Sequence, residues 1–144
     1  MAIFDARVVS KLLYCLHAAW FNKAERGRID AFQARCLRRI SGIKHSYISH
    51  ISNETVLQRC RAQKLSDTLT GRQLKLLGKI ALMPGNSPVR RCIFQPGTFD
   101  LVRAGARRRG RPRNTWKLQV YDLACQAAGG EEALLARWHQ GLEV

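Results

Sequence analysis

Apolar residues recur at intervals of three and four along most of this 144-residue chain, and the alternating pattern typical of β-strands is nearly absent. The helical stripes cover residues 6–21, 29–40, 56–60, 69–80, 116–127 and 134–138. The pattern predicts an all-α fold: a small irregular helical bundle of about five or six helices, with a long basic Arg/Gly/Pro loop before the last two.

Residue types that favour helix ends define the second of these helices most sharply. Asn22 is placed to accept hydrogen bonds from first-turn amides, while Glu25, three residues later, reaches back in a capping box. Gly42 is placed to end the helix, and Ser66 is expected to cap the helix over 69–80. The face expected to be buried comprises Ile29, Phe32, Cys36, Leu37 and Ile40.

The periodicity fades between residues 85 and 114, a stretch that contains three of the four prolines. We therefore expect three parts: a helical body over 1–84, a basic linker or loop over 85–114, and a C-terminal helical pair over 115–144.

Charge limits the kinds of partner. The chain has 25 Lys and Arg against 10 Asp and Glu, a formal net charge of +15, which is more than solubility requires and opposes compaction. A polyanionic partner, RNA and/or DNA, would relieve this repulsion. No stretch has the length and apolar character of a membrane span, and no signal peptide is recognisable, so we expect an intracellular protein, nuclear or cytoplasmic, with no membrane partner.

The densest positive charge lies in the stretch GARRRGRPRNTW. Gly110 and Pro112 disfavour a helix there, so the segment is expected to be extended, and arginine binds phosphate through two parallel hydrogen bonds. A solvated charge run is the alternative, and Arg-Gly-Arg-Pro at 109–112 also resembles the core of an AT-hook. Trp116 is either the first core residue of the next helix or a base-stacking platform. The candidate phosphate ligands here, which we call the arginine segment, are Arg103, Arg107, Arg108, Arg109, Arg111 and Arg113.

Two helices carry further basic residues away from their apolar stripes. On the second helix these are Arg28, Arg35 and Arg39, with Arg38 near the edge of the buried face. On the helix over 69–80 they are Arg72, Lys75 and Lys79. Phosphate contact and simple solvation are both open for these side chains.

Residues that could support chemistry are spaced unfavourably. The five cysteines are odd in number and widely separated, which indicates reduced, mostly buried thiols, and their distances from His45 and His50 match no compact zinc module. We expect Ser52 or Asn53 to cap a short helix, with Tyr47 and Ile48 packed against neighbouring helices. No catalytic residue, metal, cofactor or small-molecule substrate is predicted.

Four stretches together resemble the region that follows the polymerase core in reverse transcriptases of non-LTR, LINE-type retrotransposons. They are SKLLYCLHAAW, RIDAFQARCLRRISGIKHSYISHISNETVL, LTGRQLKLLGKIA and RRRGRPRNTW, and the resemblance covers about residues 6–128. Such polymerases use a Tyr- or Phe-led pair of adjacent aspartates to hold two metal ions, and this chain contains no Asp-Asp. The resemblance implies a C-terminal, thumb-side part of a reverse transcriptase, an RNA-directed DNA polymerase, that is inactive alone.

Two functions remain in competition. The first is a non-catalytic nucleic-acid-binding part of a retrotransposon-type reverse transcriptase. The second is a stand-alone basic RNA- or DNA-binding protein, such as a chromatin or ribonucleoprotein component with an AT-hook-like arginine strand. RNA and DNA are both open as ligands, as is the oligomeric state.

Overall fold

The computed structural model describes residues 2–102 and 115–142, and helices dominate this part of the chain. The all-α expectation is confirmed, with more helices than expected, and the described residues contain one isolated antiparallel bridge, Phe94 to Leu101, but no strand. The helices are α1 Ala2–Phe4, α2 Ser10–Leu12, α3 Lys23–Ile40, α4 Ser46–Ser49, α5 Asn53–Arg59, α6 Leu65–Ala81, α7 Pro88–Ile93, α8 Trp116–Ala128 and α9 Glu131–Leu142.

The chain forms two compact units, Met1–Gly71 and Arg72–Val144, and the division falls inside α6. Of the linker predicted over 85–114, residues Pro88–Ile93 form α7. The arginine segment, and with it residues 103–114 of the predicted linker, lies outside the described residues.

The predicted first helix over residues 6–21 is wrong in its extent. A π-helix over Asp5–Val9 joins α1 to α2, and α-helix ends at Leu12. Cys15 then adopts the left-handed conformation at φ 58°, which interrupts the helix before a 3₁₀ turn over Leu16–Ala18. The predicted apolar stripe is nevertheless buried as far as Leu16, since Val9 and Leu13 belong to the core and Leu16 packs against it.

Both ends of α3 form as the sequence predicts. The Asn22 side chain accepts from the Glu25 amide at 2.9 Å, and the Glu25 carboxylate accepts from the Asn22 amide at 2.8 Å. Gly42 has φ 65°, and the next amide, that of Ile43, donates to the Arg38 carbonyl at 2.9 Å. These contacts form a capping box and a Schellman motif, which together satisfy backbone groups at the two ends of the helix.

The buried face of α3 differs from the expected one. Leu37 is buried as predicted, but Ile40 is 56% exposed. The buried residues of α3 are Gln33, Ala34, Leu37 and Arg38. Two of the four are polar, so the apolar pattern of the sequence predicts the wrong centre for the buried face of α3.

Polar residues of α3 cap α6 from outside that helix. The Leu65 amide donates to Gln33 Oε1 at 3.1 Å, and the Ser66 amide donates to Asp30 Oδ1 at 2.9 Å. Gln33 also donates to the Gln63 carbonyl at 2.7 Å. The expected capping role of Ser66 is therefore wrong: α6 begins one residue earlier, and its first-turn amides are satisfied by side chains of α3.

The first unit buries a core of leucines and valines around α3. Those with no exposed surface are Leu13, Leu37, Val56 and Leu69. Ser52 caps α5 by accepting from the Thr55 amide at 3.1 Å, which confirms one of the two predicted caps.

Aromatic rings form much of the core of the second unit. Trp138 of α9 lies 5.6 Å from Phe94, 5.2 Å from Phe99 and 6.1 Å from Tyr121 between ring centroids. Gly129, at φ 91°, ends α8 and leads within two residues to α9. The aromatic cluster therefore joins α8 and α9 to the segment that follows α7.

A hydrogen bond links α8 to the start of α9. The Tyr121 hydroxyl donates to Glu131 Oε1 at 2.8 Å, and Tyr121 is only 8% exposed. Burial, and then the hydrogen bond and charge of Glu131, raise the pKa of Tyr121 well above its ordinary value.

We predict that Tyr121→Phe destabilises the chain by about 1–2 kcal/mol at neutral pH, because it removes this hydrogen bond. The raised pKa means that the folded state holds the hydroxyl proton more tightly than the unfolded state. The wild type therefore keeps the whole contribution below the ordinary pKa of 10.0 and loses it as the pH rises further. Urea unfolding of both proteins, near neutral pH and again above about pH 10, should show the difference shrinking. A difference that is constant with pH would contradict this.

Candidate nucleic-acid interface

Three arginines of α3 lie on one line along the helix surface. At 3.6 residues per turn, Arg35 and Arg39 are each rotated by only about 20° from Arg28, and the three span about 16 Å along the axis. All three side chains are exposed. Within residues 2–102 and 115–142, none of them makes a hydrogen bond or an ion pair. We call Arg28, Arg35 and Arg39 the arginine line.

Both carboxylates of α3 accept hydrogen bonds from backbone amides and not from the arginine line. Glu25 accepts from the Asn22 amide in the capping box, and Asp30 accepts from the Ser66 amide at the start of α6. Asp30 also lies on the opposite side of the helix from Arg28, since two residues correspond to about 200° of rotation. The arginine line is therefore a run of like charge to which α3 itself supplies no paired acid.

Arg38 is next in sequence to a residue of this line, but its side chain is buried. It is 5% exposed, and within the part of the chain that the structure describes its guanidinium donates only to neutral oxygens. The Nη1 atom donates to the Lys44 carbonyl at 3.2 Å and to Ser49 Oγ at 3.3 Å, and Nη2 donates to the Ile51 carbonyl and to Asn53 Oδ1 at 3.1 Å. We call these four contacts the Arg38 clamp. Arg38 was expected near the edge of the buried face, but the clamp places it inside and out of reach of phosphate.

The clamp shapes the turn between α3 and α5. Ser49 Oγ, besides accepting from Arg38, donates to the carbonyls of Lys44 and His45, each at 3.1 Å. His50 takes the left-handed conformation at φ 52°, which ends α4 and returns the chain to the clamp. Polar contacts of Arg38 and Ser49 thus hold the turn.

Tyr47 and Ile48 do not pack as the sequence predicts. Tyr47 is 74% exposed and Ile48 is 50% exposed. The turn is held through its backbone carbonyls, so these two side chains are free to face solvent. The sequence carried no signal for this, because an apolar pair in a short turn usually packs.

The basic residues of α6 lie on its exposed side within the second unit. Arg72, Lys75 and Lys79 fall within about 60° of one another around the helix, and Gln73 and Leu77 on the opposite side are buried. No hydrogen bond or ion pair of these three basic side chains exists within the described ranges. They form a second basic surface, the α6 basic face, which we describe separately from the arginine line.

Other arginines are used to hold structure. Arg90 is 6% exposed, donates through Nε to the Ala81 carbonyl at 3.1 Å and through Nη2 to the Thr98 carbonyl at 3.2 Å, and lies 5.3 Å from the Phe99 ring centroid. Ala81 ends α6, where a cation is favourable.

Arg26 also makes contacts within the first unit. It donates to the Phe21 carbonyl at 3.1 Å and lies 4.8 Å from the Trp20 ring. Burial lowers the pKa of Arg26, and the charges of Asp30 and Asp67 oppose that shift. Net charge alone therefore overstates the number of cations available to a ligand.

The described residues contain no group of His, Cys, Asp and Glu side chains arranged to hold a metal ion. All five cysteines are free thiols, but Cys15 and Cys92 are exposed and the other three are only partly buried, so the expectation of mostly buried thiols is wrong. Cys15 is exposed because the helix expected to carry it ends at Leu12. Across the same ranges, no helix is long and apolar enough to cross a membrane.

The arginine segment, Arg103 to Arg113, lies outside the described residues. Trp116, which follows it, is half-buried and begins α8.

Comparison with known proteins gives no relative: no family description, no curated protein and no solved structure matches the chain.

We predict that Arg38→Ala destabilises the chain by about 2–4 kcal/mol, because it removes the four hydrogen bonds of a buried guanidinium and leaves the Ile51 carbonyl and Asn53 Oδ1 without that donor. The matched control is Arg35→Ala, on the same helix but exposed, which should change the free energy of unfolding by no more than about 0.5 kcal/mol. Urea unfolding measures both variants, and limited proteolysis should cut the Arg38 variant faster between residues 44 and 53. Equal stability of the two variants would show that the clamp is not required.

Proposed function

We propose that this chain is a non-catalytic nucleic-acid-binding module, equivalent to the C-terminal, post-palm part of a retrotransposon-type reverse transcriptase. Its arginine line, its α6 basic face and its arginine segment contact the sugar-phosphate backbone of RNA or DNA. The polymerase context of the proposal rests on the sequence resemblance, and the binding role rests on charge and geometry.

The observation that carries the binding role is the arginine line. Its three guanidinium groups follow one straight path about 16 Å long, and the carboxylates of α3 are bound to backbone amides. A row of exposed cations along one line suits a polyanion, because each guanidinium offers a planar pair of donors to a phosphate.

The proposal assigns binding and not chemistry to the chain. The five aspartates stand singly in the sequence, so no adjacent pair can hold two metal ions. Phosphate contacts position a nucleic acid without reading its sequence, so the module binds with little sequence preference.

A stand-alone RNA- or DNA-binding protein is the second candidate, and Arg109-Gly110-Arg111-Pro112 favours it through the AT-hook resemblance. The two candidates differ in the duplex they prefer, since an AT-hook selects the narrow minor groove of A·T-rich DNA. They also differ in gene context: a reading frame joined to the Met1 codon and encoding a Tyr- or Phe-led Asp-Asp pair would favour the polymerase.

We predict that replacing Arg28, Arg35 and Arg39 together by Gln reduces the slope of log K against log salt by about 2–3, because three phosphate contacts are lost. Fluorescence anisotropy with a labelled single strand and a labelled duplex, titrated at several salt concentrations, measures the slope. The control replaces Arg7, Lys11 and Arg59 by Gln, which removes the same charge from exposed positions off the line.

The control should change the slope much less than the line variant does. Equal changes would mean that attraction is diffuse and that the line is no interface. Absence of salt-dependent binding by the wild type in dilute buffer would contradict the proposed function itself. Replacement of Arg107, Arg108, Arg109, Arg111 and Arg113 by Ala tests the arginine segment in the same titration, with an expected reduction of about 4.

A further inference from the structure

An aromatic pair stands exposed on the turn that the Arg38 clamp holds. The rings of His45 and Tyr47 are stacked, with centroids 5.7 Å apart and an angle of 18° between their planes. Tyr47 remains 74% exposed with His45 beside it, so most of its ring is open to solvent. A large exposed aromatic ring is unfavourable in water, and stacking of His45 on one side leaves the other face of the Tyr47 ring for a further planar group.

The turn that carries this pair is held on both sides. Arg38 donates to the Lys44 carbonyl just before His45 and to Ser49 Oγ just after the helix residue Ile48. Ser49 Oγ closes the turn by donating to the carbonyls of Lys44 and His45. Tyr47 is therefore presented by an ordered backbone, which reduces the entropy lost when a ligand stacks on its ring.

The pair lies at the same end of α3 as Arg39. The clamp joins the turn to Arg38, the residue that precedes Arg39, and Arg39 is the last member of the arginine line. Lys44, His45 and His50 of the turn are also exposed. Exposed aromatic rings and exposed cations at the same end of a helix are a combination that suits single-stranded nucleic acid, since bases stack on rings while phosphates contact cations.

We infer that His45 and Tyr47 form a stacking platform for an unpaired base of a single-stranded nucleic acid whose phosphates lie along the arginine line. This inference rests on the proposed function and adds a preference for single strands. A duplex keeps its bases stacked on one another, so it contacts the arginine line without using the platform.

The test measures binding of the full chain to oligouridine, oligothymidine, an abasic sugar-phosphate strand of the same length, and a duplex. Tyr47→Ala should weaken binding to both base-containing single strands by about five- to 150-fold, with an unchanged salt slope because no charge is removed. Tyr47→Phe should bind nearly as the wild type does, since the ring is kept. Binding to the abasic strand and to the duplex should be the same for wild type and Tyr47→Ala.

Tyr14→Ala is the matched control, because Tyr14 is 77% exposed and lies outside the turn. It should leave the affinity for all four ligands unchanged. Circular dichroism and thermal unfolding should show that Tyr47→Ala and Tyr14→Ala fold as the wild type does.

Three results would overturn the platform. One is a Tyr47→Ala variant that binds single strands as tightly as the wild type. Another is an equal loss on the abasic strand, which would mean that Tyr47 acts without a base, and the third is an equal loss for Tyr14→Ala. In each case salt-dependent binding by the wild type would still stand, so these results differ from failure of the proposed function, in which the wild type binds none of the four ligands.

Discussion

The first unit depends on a buried positive charge that is paired with no carboxylate among the described residues. Arg38 is enclosed at the end of α3 and donates to carbonyl, hydroxyl and amide oxygens of the turn that follows. Removing a guanidinium from water is costly, and the cost is offset here by four charge-assisted hydrogen bonds. The same contacts fix the route of the chain from α3 to α5. One side chain therefore determines the conformation of this turn and which of its side chains are exposed.

The exposed arginines contrast with the arginines that contact the chain's own backbone. Arg26, Arg38 and Arg90 each donate to backbone carbonyls, and two of them also lie over aromatic rings. Arg28, Arg35 and Arg39 make no such contact within the described part of the first unit. Arginine therefore has two positions in this part of the chain: as an internal donor to backbone oxygens, and on the helix surface, where we propose that it contacts a polyanion. Adjacent residues such as Arg38 and Arg39 show that the two positions alternate with helix rotation.

Contacts between residues close in sequence were predictable, whereas contacts between distant residues were not. The capping box of Asn22 and Glu25, the Schellman end at Gly42 and the cap at Ser52 depend on neighbouring residues, and each was predicted. The exposure of Ile40 and the burial of Gln33 and Arg38 depend on partners many residues away, in the loops before α5 and α6. The early end of the first helix has a local cause, a π turn followed by Cys15 in the left-handed conformation, but no residue type there signals it. In the candidate interface, helical periodicity predicted which arginines are exposed. The exposure of Tyr47 depends on the clamp and was not predicted.

The central claim is that α3 divides its five arginines into two that hold the fold, Arg26 and Arg38, and three that we propose contact a polyanion. Phenylglyoxal modification of arginine, read residue by residue by mass spectrometry with and without added oligouridine, tests this division directly. We predict that Arg28, Arg35 and Arg39 react rapidly in the free protein and are protected by the polynucleotide, while Arg38 stays unreactive in both samples. Rapid modification of Arg38 in the folded protein, or equal modification of the other three with and without polynucleotide, would contradict the account.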